Sequence, residues 1–270
     1  MSLTPSTATL GIIGFGSMAQ AVTDGLLRED VLPADHILVL GRNRAKLEKN
    51  AAARGVIPAA NEEDLIRRSD VILLGVLPPQ VLPILDAYRD LFAQKLVLSL
   101  AAGLSTSALE EHLPESSGVI TFLPNTPVAV AAGIFITDEH MRANEEQRAF
   151  YEALFSPIAS IEYLPQDLVS AATAIAGCGP AFASMMAEAL GDAAVKNGIP
   201  RDKAYRLAAA MLRGVGSLLL ESGTHPAVIK DGVCSPGGTT ICGVTSLEED
   251  GFRSSLVHAV DAVIEREKEL

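Results

Sequence analysis

The stretch Leu10-Gly11-Ile12-Ile13-Gly14-Phe15-Gly16-Ser17-Met18-Ala19 joins a short apolar run to an amphipathic segment. The run 10–13 predicts a buried strand, and residues 17–28 have the apolar spacing of a helix. In such a strand–turn–helix, Gly14 permits the tight turn, Gly16 lets a pyrophosphate approach the backbone, and Ala19 keeps the helix close to the sheet. We therefore predict a dinucleotide-binding turn whose amides and helix dipole face the phosphates. Its residues are Ile13, Gly14, Phe15, Gly16, Ser17 and Met18.

The first 164 residues alternate apolar runs with helical segments. The apolar runs are continuous rather than alternating, which indicates strands buried on both faces and hence a parallel sheet covered by helices. The predicted strands are residues 10–13, 36–40, 70–74, 96–100, 118–122, 133–136 and 160–164. The predicted helices are residues 17–28, 43–54, 61–68 and 145–155. We expect an α/β fold with an N-terminal Rossmann-type parallel sheet.

The pattern changes from residue 165 onwards. Helical stretches are predicted at 180–197, 200–222 and 251–269, and no strand pattern is evident there. The sequence therefore predicts two domains: residues 1–164 form the dinucleotide-binding domain, and residues 165–270 form an all-helical domain. Abundant Ala and Gly in the second part favour close helix packing, including packing between subunits.

The residues after the second predicted strand select the cofactor. NAD enzymes usually carry an Asp or Glu here that bonds the ribose hydroxyls, but this sequence reads Leu40-Gly41-Arg42-Asn43-Arg44. Guanidinium groups bind a 2′-phosphate that a carboxylate would repel. We predict NADPH as cofactor, with NADH as the alternative, and cofactor contacts from Arg42, Asn43 and Arg44. The competing interpretation is that both arginines are solvated surface charges.

Further cofactor contacts are expected where the central strands end. Ligands of such folds lie outside the carboxyl ends of the strands. Small or apolar residues that suit stacking on a cofactor ring occur there: Val76, Leu77, Pro78, Ala101 and Ala102. Asn61 opens a predicted helix, and it can cap that helix, bond a ribose, or do both.

A second motif, Ser235-Pro236-Gly237-Gly238-Thr239-Thr240, is a turn followed by a helix-compatible run, 241–249. Glycines and threonines at a helix start leave backbone amides free. Such amides bind a small carboxylate without any cation, and the Ser235, Thr239 or Thr240 hydroxyl can bond a nearby nitrogen or oxygen. The alternative is an ordinary capped loop between helices.

Composition excludes several function classes. A formal net charge of −12 over 270 residues disfavours binding to nucleic acid or to anionic membranes. Three cysteines without metal-ligand spacing predict reduced thiols and no metal site. The N-terminus lacks a basic region followed by an apolar stretch, and the apolar run 71–85 is interrupted by Gly and Pro. We expect a cytoplasmic protein with no membrane span.

Four segments together resemble the pyrroline-5-carboxylate reductase family. They are Ile13-Gly14-Phe15-Gly16-Ser17-Met18-Ala19, Leu123-Pro124-Asn125-Thr126-Pro127, Gly177-Cys178-Gly179-Pro180-Ala181 and, most specifically, Ser235–Thr240. The resemblance implies NADPH-dependent reduction of 1-pyrroline-5-carboxylate, a small cyclic imino acid, to L-proline in the last step of proline biosynthesis. It also implies a Rossmann domain followed by a helical domain that forms a homodimer, with larger rings such as a decamer in some members.

The resemblance also assigns roles within the second motif. Ser235 and the backbone of Gly237, Gly238 and Thr239 would hold the substrate carboxylate. Thr240 matches the family's threonine that hydrogen-bonds the ring nitrogen, and it is the catalytic candidate. Hydride transfer needs little else, because the cofactor carries the chemistry.

The sequence departs from the family pattern at three places. Leu77 stands where the family usually has lysine, Thr121 where it usually has arginine, and Cys178 where it usually has serine. The departures at Leu77 and Thr121 are the only support for one alternative, a non-catalytic NADPH-binding regulatory paralogue. A second alternative is a β-hydroxyacid dehydrogenase-like oxidoreductase, which needs a catalytic lysine. Its candidates are Lys196, Lys203 and Lys230.

Overall fold

The computed structural model describes residues 3–268, which form two compact units. The first unit extends to Gly177, and the second begins at Cys178. The predicted boundary at residue 164 coincides with the change from strand to helix, because the last strand ends at Leu164. The first unit continues beyond that point because a further helix, Gln166–Ala176, packs against a strand of the sheet.

The described part of the first unit contains one eight-stranded sheet. Its strands are β1 Leu10–Ile13, β2 Ile37–Leu40, β3 Ile57–Pro58, β4 Val71–Leu74, β5 Leu96–Ser99, β6 Gly118–Pro124, β7 Gly133–Asp138 and β8 Ala159–Leu164. The spatial order is β3-β2-β1-β4-β5-β6-β7-β8. The first six strands are parallel, as predicted, and they have the order of a doubly wound dinucleotide-binding sheet.

The pairing of β6 with β7 differs from the predicted parallel sheet, because it is antiparallel. Residues 125–132 connect the two strands, and this connection is shorter than the dozen or more residues that a parallel crossover needs. The connection from β7 to β8 contains a helix, and this pair is parallel again. The sheet is therefore mostly parallel, with its last two strands running opposite to the rest.

Helices cover both faces of this sheet. They are α1 Ser17–Arg28, α2 Arg44–Ala52, α3 Glu62–Arg68, α4 Pro78–Ala87, α5 Thr106–Glu110, α6 Glu145–Phe155 and α7 Gln166–Ala176. Successive strand residues point to opposite faces, so Ile12 belongs to one apolar core and Ile13 to the other. Strands β1, β2, β4 and β5 are buried on both faces, as their continuous apolar runs predict.

The described part of the second unit consists of helices only, as predicted. They are α8 Gly179–Lys196, α9 Arg201–Ser222, α10 Pro226–Val233, α11 Thr239–Glu249 and α12 Phe252–Glu267. The predicted last helix includes residue 269, which lies outside the described residues. Helices α8 and α9 form an antiparallel pair in which Gly191 lies against the ring of Tyr205.

Little of the second unit is buried in the single chain. In its described residues, the buried positions are Gly191, Ala204 and Ala208. Large apolar side chains are exposed, among them Met185, Leu207, Leu218 and Leu220. Among residues 3–268, one helical stretch, Gln166–Lys196, is long and apolar enough to cross a membrane by length and composition alone. A surface this apolar marks a site of association.

Candidate active site

The glycine turn after β1 is held tightly against the rest of the sheet. The amides of Gly14 and Phe15 both donate to the carbonyl of Leu40, at 2.9 Å each. Gly14 has a φ of +98°, and a Cβ there would lie 2.6 Å from the backbone of Gly75. Only glycine satisfies both conditions. The turn therefore has the tight geometry that the sequence predicts.

The space for an anion lies beside Gly16. A Cβ built on Gly16 would meet no described atom within 4 Å, so the backbone there faces open space. Gly16 immediately precedes α1 and offers no side chain to cap it, and Ser17 is exposed. The first amides of a helix lack intrahelical acceptors and attract anions. These residues fit the pyrophosphate of a dinucleotide.

Phe15 is buried, and an arginine that the sequence reasoning missed lies over its ring. The Arg54 guanidinium is 5.8 Å from the ring centroid of Phe15. Arg54 also makes two hydrogen bonds to the carboxylate of Asp24, of 2.6 and 2.9 Å, which tie the end of α2 to α1. Arg54 thus supports the turn from behind. The sequence offers no local signal for this, because 30 residues separate Arg54 from Asp24.

The two predicted phosphate-binding arginines occupy different environments. Arg44 donates to the carbonyl of Ala59 at 2.7 Å and to the carboxylate of Glu48 at 2.6 Å. Arg42 is exposed, and within residues 3–268 its guanidinium has no hydrogen bond or ion pair. Arg42 is therefore the freer cation for a 2′-phosphate, whereas Arg44 is already engaged.

Two predicted cofactor residues act as helix caps. The Asn43 side chain accepts a hydrogen bond from the amide of Lys46 at 3.0 Å and caps α2. The Asn61 side chain accepts from the amide of Asp64 at 2.8 Å and caps α3. Capping fixes both side chains at the rim where the adjacent strands end. This use satisfies helix amides, and it leaves the Nδ2 groups of both side chains as donors.

The residues after β4 and β5 line the same carboxyl edge. Val76 and Pro78 are half-buried, and Leu77 is 66% exposed at the N-cap of α4. A leucine cannot cap a helix, so neither capping nor packing explains its position. Ala101 is buried and Ala102 is exposed after β5. The cofactor residues predicted in the first unit thus gather at the ends of neighbouring parallel strands.

The second motif forms a closed turn before α11. The amide of Gly238 donates to the carbonyl of Ser235 at 3.0 Å, and Gly237 has a φ of +68°. Pro at the second and a positive-φ Gly at the third position are typical of a type II turn. A Cβ on Gly238 would lie 2.4 Å from Ser235 Oγ. The glycine therefore lets the Ser235 hydroxyl lie over the turn.

Helix α11 begins at Thr239, two residues before the predicted run. Gly238 is its N-cap and has no side chain to offer, so the amides of the first turn need another acceptor. Ser235, Thr239 and Thr240 are all exposed. Backbone amides and three hydroxyls are therefore presented together at one helix start, which suits a small carboxylate.

Asn125 is a second residue whose role the sequence reasoning missed. It is buried after β6, where its side-chain amide donates to the carbonyl of Ala176 and its oxygen accepts from the amide of Ile134, each at 2.9 Å. Asn125 thus ties the β6–β7 connection to the end of α7. The motif Leu123–Pro127 marks the residue, but only the fold shows what it holds.

Thr121 has a local partner of its own. Its hydroxyl lies 2.8 Å from that of Thr106, and both residues are buried. The hydroxyl pair bridges β6 and the first turn of α5. Thr121 is therefore a satisfied core residue.

None of the three lysine candidates has the surroundings of a catalytic base in the described chain. A hydrogen bond to Asp231 raises the pKa of Lys230 above its ordinary value, whereas a lysine base needs a lowered pKa. Lys196 and Lys203 are exposed. These surroundings do not favour a lysine-dependent dehydrogenase.

Family comparison matches both parts of the chain. Residues 166–270 match the family described as pyrroline-5-carboxylate reductase dimerisation. Residues 9–103 match the family described as NADP oxidoreductase, coenzyme F420-dependent. The match over residues 9–103 includes the glycine turn, Arg42 and Arg44. The match over residues 166–270 includes the Ser235–Thr240 loop.

Full-length relatives carry one name. The chain is 39% identical to pyrroline-5-carboxylate reductase of Treponema pallidum (strain Nichols) over 259 residues, covering 94% of this chain and 98% of the relative. It is 37% identical to the Synechocystis sp. enzyme of the same name over 264 residues, with 97% of each covered. The structure of Plasmodium falciparum pyrroline carboxylate reductase with NADP bound superposes with a TM-score of 0.85, 27% identity and 98% coverage of both chains.

Proposed function

The chain belongs to the pyrroline-5-carboxylate reductase family, and from this premise we propose that it reduces 1-pyrroline-5-carboxylate to L-proline with NADPH. The observation that carries the proposal is the Ser235–Gly238 turn at the start of α11, because it presents an anion-binding helix end beside a serine and two threonines. The glycine turn after β1 supplies the cofactor site of the same enzyme.

The residues of the first unit suit NADPH. The open space beside Gly16 and the uncapped start of α1 accept the pyrophosphate. Arg42 binds the 2′-phosphate, because its guanidinium has no competing partner among the described residues. Leu77 and Ala102 present exposed apolar surface to the cofactor rings. When bound, NADPH supplies the hydride that reduces the C=N bond.

The Ser235–Thr240 loop holds the substrate by its carboxylate. The amides of Thr239 and Thr240 donate to the carboxylate oxygens, because the Gly238 amide already donates to the Ser235 carbonyl, and the Ser235 hydroxyl adds a further donor. These donors are backbone groups in a closed turn, so they are oriented before the substrate arrives. No cation is needed, because the helix start itself favours an anion.

Thr240 acts at the ring nitrogen. Its Oγ1, or an ordered water held by it, hydrogen-bonds the nitrogen while the C=N bond is reduced. The nitrogen gains its proton before or during this step, so a strong acid is not required. This role explains why the loop provides hydroxyls and amides but no carboxylate or histidine.

The proposed assembly is a homodimer formed through the helical unit. Leu207, Leu218 and Leu220 are exposed in the single chain, and apolar patches of this kind mark protein–protein contacts. Residues 166–270 also match a family described as pyrroline-5-carboxylate reductase dimerisation. A second copy therefore covers the apolar stretch Gln166–Lys196 in place of lipid. Light scattering tests this proposal, because it distinguishes a monomer, a dimer and a decamer.

The cytoplasm is the proposed location, since a net charge of −12 favours solubility.

A substrate comparison tests the proposed reaction. The purified chain is expected to oxidise NADPH with 1-pyrroline-5-carboxylate and not to reduce NADP+ with β-hydroxy acids. Turnover of a β-hydroxy acid alone would favour the dehydrogenase. Tight NADPH binding without oxidation by any cyclic imino acid would favour the regulatory paralogue.

A further inference from the structure

A cleft of about 280 Å³ lies at the far end of the sheet in the first unit. Its lining residues come from α6, the edge strand β8 and the segment after β7, and they are Glu139, Met141, Arg148, Glu152 and Tyr163. The cofactor residues follow β1, β2, β4 and β5, so the cleft is not part of that site. Its volume is just below the range of roughly 300–1,000 Å³ that holds drug-sized ligands.

The charged side chains of this cleft form no ion pairs with one another. Arg148 and Glu152 are four residues apart on α6, a spacing that brings side chains together on one helix face. The same spacing gives an ion pair of 2.7 Å between Glu63 and Arg67 on α3. Within the described chain, Arg148, Glu139 and Glu152 form no ion pair with any residue. The cleft thus offers a free cation and free carboxylates side by side.

Other groups hold these side chains in place. Arg148 Nε donates to the carbonyl of Ala143 at 3.1 Å, which leaves its two terminal nitrogens available. The Tyr163 hydroxyl donates to Glu152 Oε1 at 3.0 Å. Burial and this hydrogen bond raise the pKa of Tyr163 to about 12, so the phenol remains a donor at neutral pH. Glu152 is therefore held by a hydrogen bond from a neutral group and not by an ion pair.

We propose that this cleft binds a small zwitterionic α-amino acid. The ligand's carboxylate pairs with Arg148, its ammonium group pairs with Glu139 and Glu152, and its side chain lies against Met141 and the Tyr163 ring. A phosphate would meet two carboxylates, and a dication would meet the guanidinium, so a ligand carrying one charge of each sign fits best. L-proline, the product of the proposed reaction, is the first probe, and only this choice of probe rests on the proposed function.

The experiment measures amino-acid binding without NADPH, so its result does not depend on turnover. Thermal-shift measurements with each common amino acid select binders, starting with L-proline, and calorimetry then gives their affinities. The Gly238→Ala variant serves as a background in which the substrate loop is distorted. We expect binding to persist in this background and to be lost for derivatives whose carboxylate or amine is blocked.

Variants of the cleft identify the site. Arg148→Met and Glu152→Gln are each expected to weaken binding by about tenfold or more, since each removes a charged hydrogen-bond partner. Arg67→Met on α3 is the matched control and should leave the affinity unchanged. The proposal is overturned if no common amino acid binds the Gly238→Ala background, or if binding there is the same with and without Arg148. NADPH oxidation tests the reductase activity separately.

Discussion

Gly14 and Gly75 approach so closely that a Cβ on either residue would lie 2.6 Å from a backbone atom of the other. This contact joins the turn after β1 to the residue after β4, and these strands are neighbours in the sheet. The amide of Gly75 also donates to the carbonyl of Ile13 at 2.8 Å. The cofactor turn is therefore set by backbone packing between two strand ends.

Gly14→Ala should destabilise the fold. The added methyl group meets the backbone of Gly75, and the residue must also keep a φ of +98°. Overpacking costs about 1–3 kcal/mol and the left-handed conformation about 1–2 kcal/mol, so the free energy of unfolding should fall by about 2–5 kcal/mol. Chemical denaturation measures this fall, and a fall below about 0.5 kcal/mol would contradict the observed packing.

Gly16→Ala should separate stability from binding. Its methyl group enters open space, so the free energy of unfolding should stay within about 0.5 kcal/mol of the parent value. The same space is the proposed pyrophosphate site, and overpacking of about 1–3 kcal/mol there corresponds to an NADPH Kd raised about fivefold or more. Fluorescence titration with NADPH gives the Kd, and an unchanged value would move the pyrophosphate away from Gly16.

Arg42→Ala should reduce the discrimination between NADPH and NADH. A charged hydrogen bond is worth about 1.5–3 kcal/mol, so kcat/KM with NADPH should fall about tenfold or more, while kcat/KM with NADH stays nearly constant. Arg44→Ala is the matched control, because the contacts of Arg44 with Ala59 and Glu48 already occupy its guanidinium. An equal loss with both cofactors in Arg42→Ala would argue against 2′-phosphate binding.

Thr240→Ala should lower kcat by about 10²-fold if Oγ1 takes part in proton transfer to the ring nitrogen. Thr245→Ala is a control on the same helix, because the Thr245 hydroxyl bonds the carbonyl of Cys242 and should leave kcat unchanged. Steady-state kinetics with a saturating cyclic imine measures both variants. An unchanged kcat in Thr240→Ala would remove this threonine from the mechanism.

Tyr163 should titrate at high pH, with a pKa of about 12. Burial and the hydrogen bond to Glu152 raise this pKa above the ordinary value of about 10, so the protonated phenol contributes stability that is fully present below pH 10. That contribution is lost as the pH rises from about 10 to about 12. Glu152→Gln should lower the Tyr163 pKa, because a neutral acceptor no longer opposes a phenolate. Phenolate absorbance measures the shift, and Tyr163→Phe identifies the signal of this residue. An unshifted pKa in Glu152→Gln would exclude the Glu152 hydrogen bond as a cause of the raised pKa.

The sequence predicted the cofactor half of the fold closely because its signals are local. The apolar run 10–13 and the helical spacing 17–28 coincide with β1 and α1. Helix α4 was missed because its prolines were interpreted as breaks. Pro78 and Pro79 instead occupy its first turn, where proline is tolerated. The antiparallel β6–β7 pair was missed because strand runs carry no direction.

The sequence predicted some parts of the candidate site and missed others. The first glycine turn was predicted from its spacing after a strand, whereas the role of the Ser235–Thr240 loop also depended on the family resemblance; each turn contains a glycine with positive φ. Arg42 and Arg44 could not be ranked, because the partner that engages Arg44 is the carbonyl of Ala59, 15 residues away. The role of Asn125 depends on Ala176, 51 residues away. Such contacts arise only when separate elements pack together.

The most direct test of the account combines NADPH oxidation with product analysis. The purified protein is mixed with 1-pyrroline-5-carboxylate, and the loss of NADPH absorbance is compared with the L-proline formed. The account predicts equal amounts of NADPH consumed and L-proline produced, with both changes about 10²-fold slower in Thr240→Ala. Absence of L-proline formation by a folded protein that binds NADPH would contradict it.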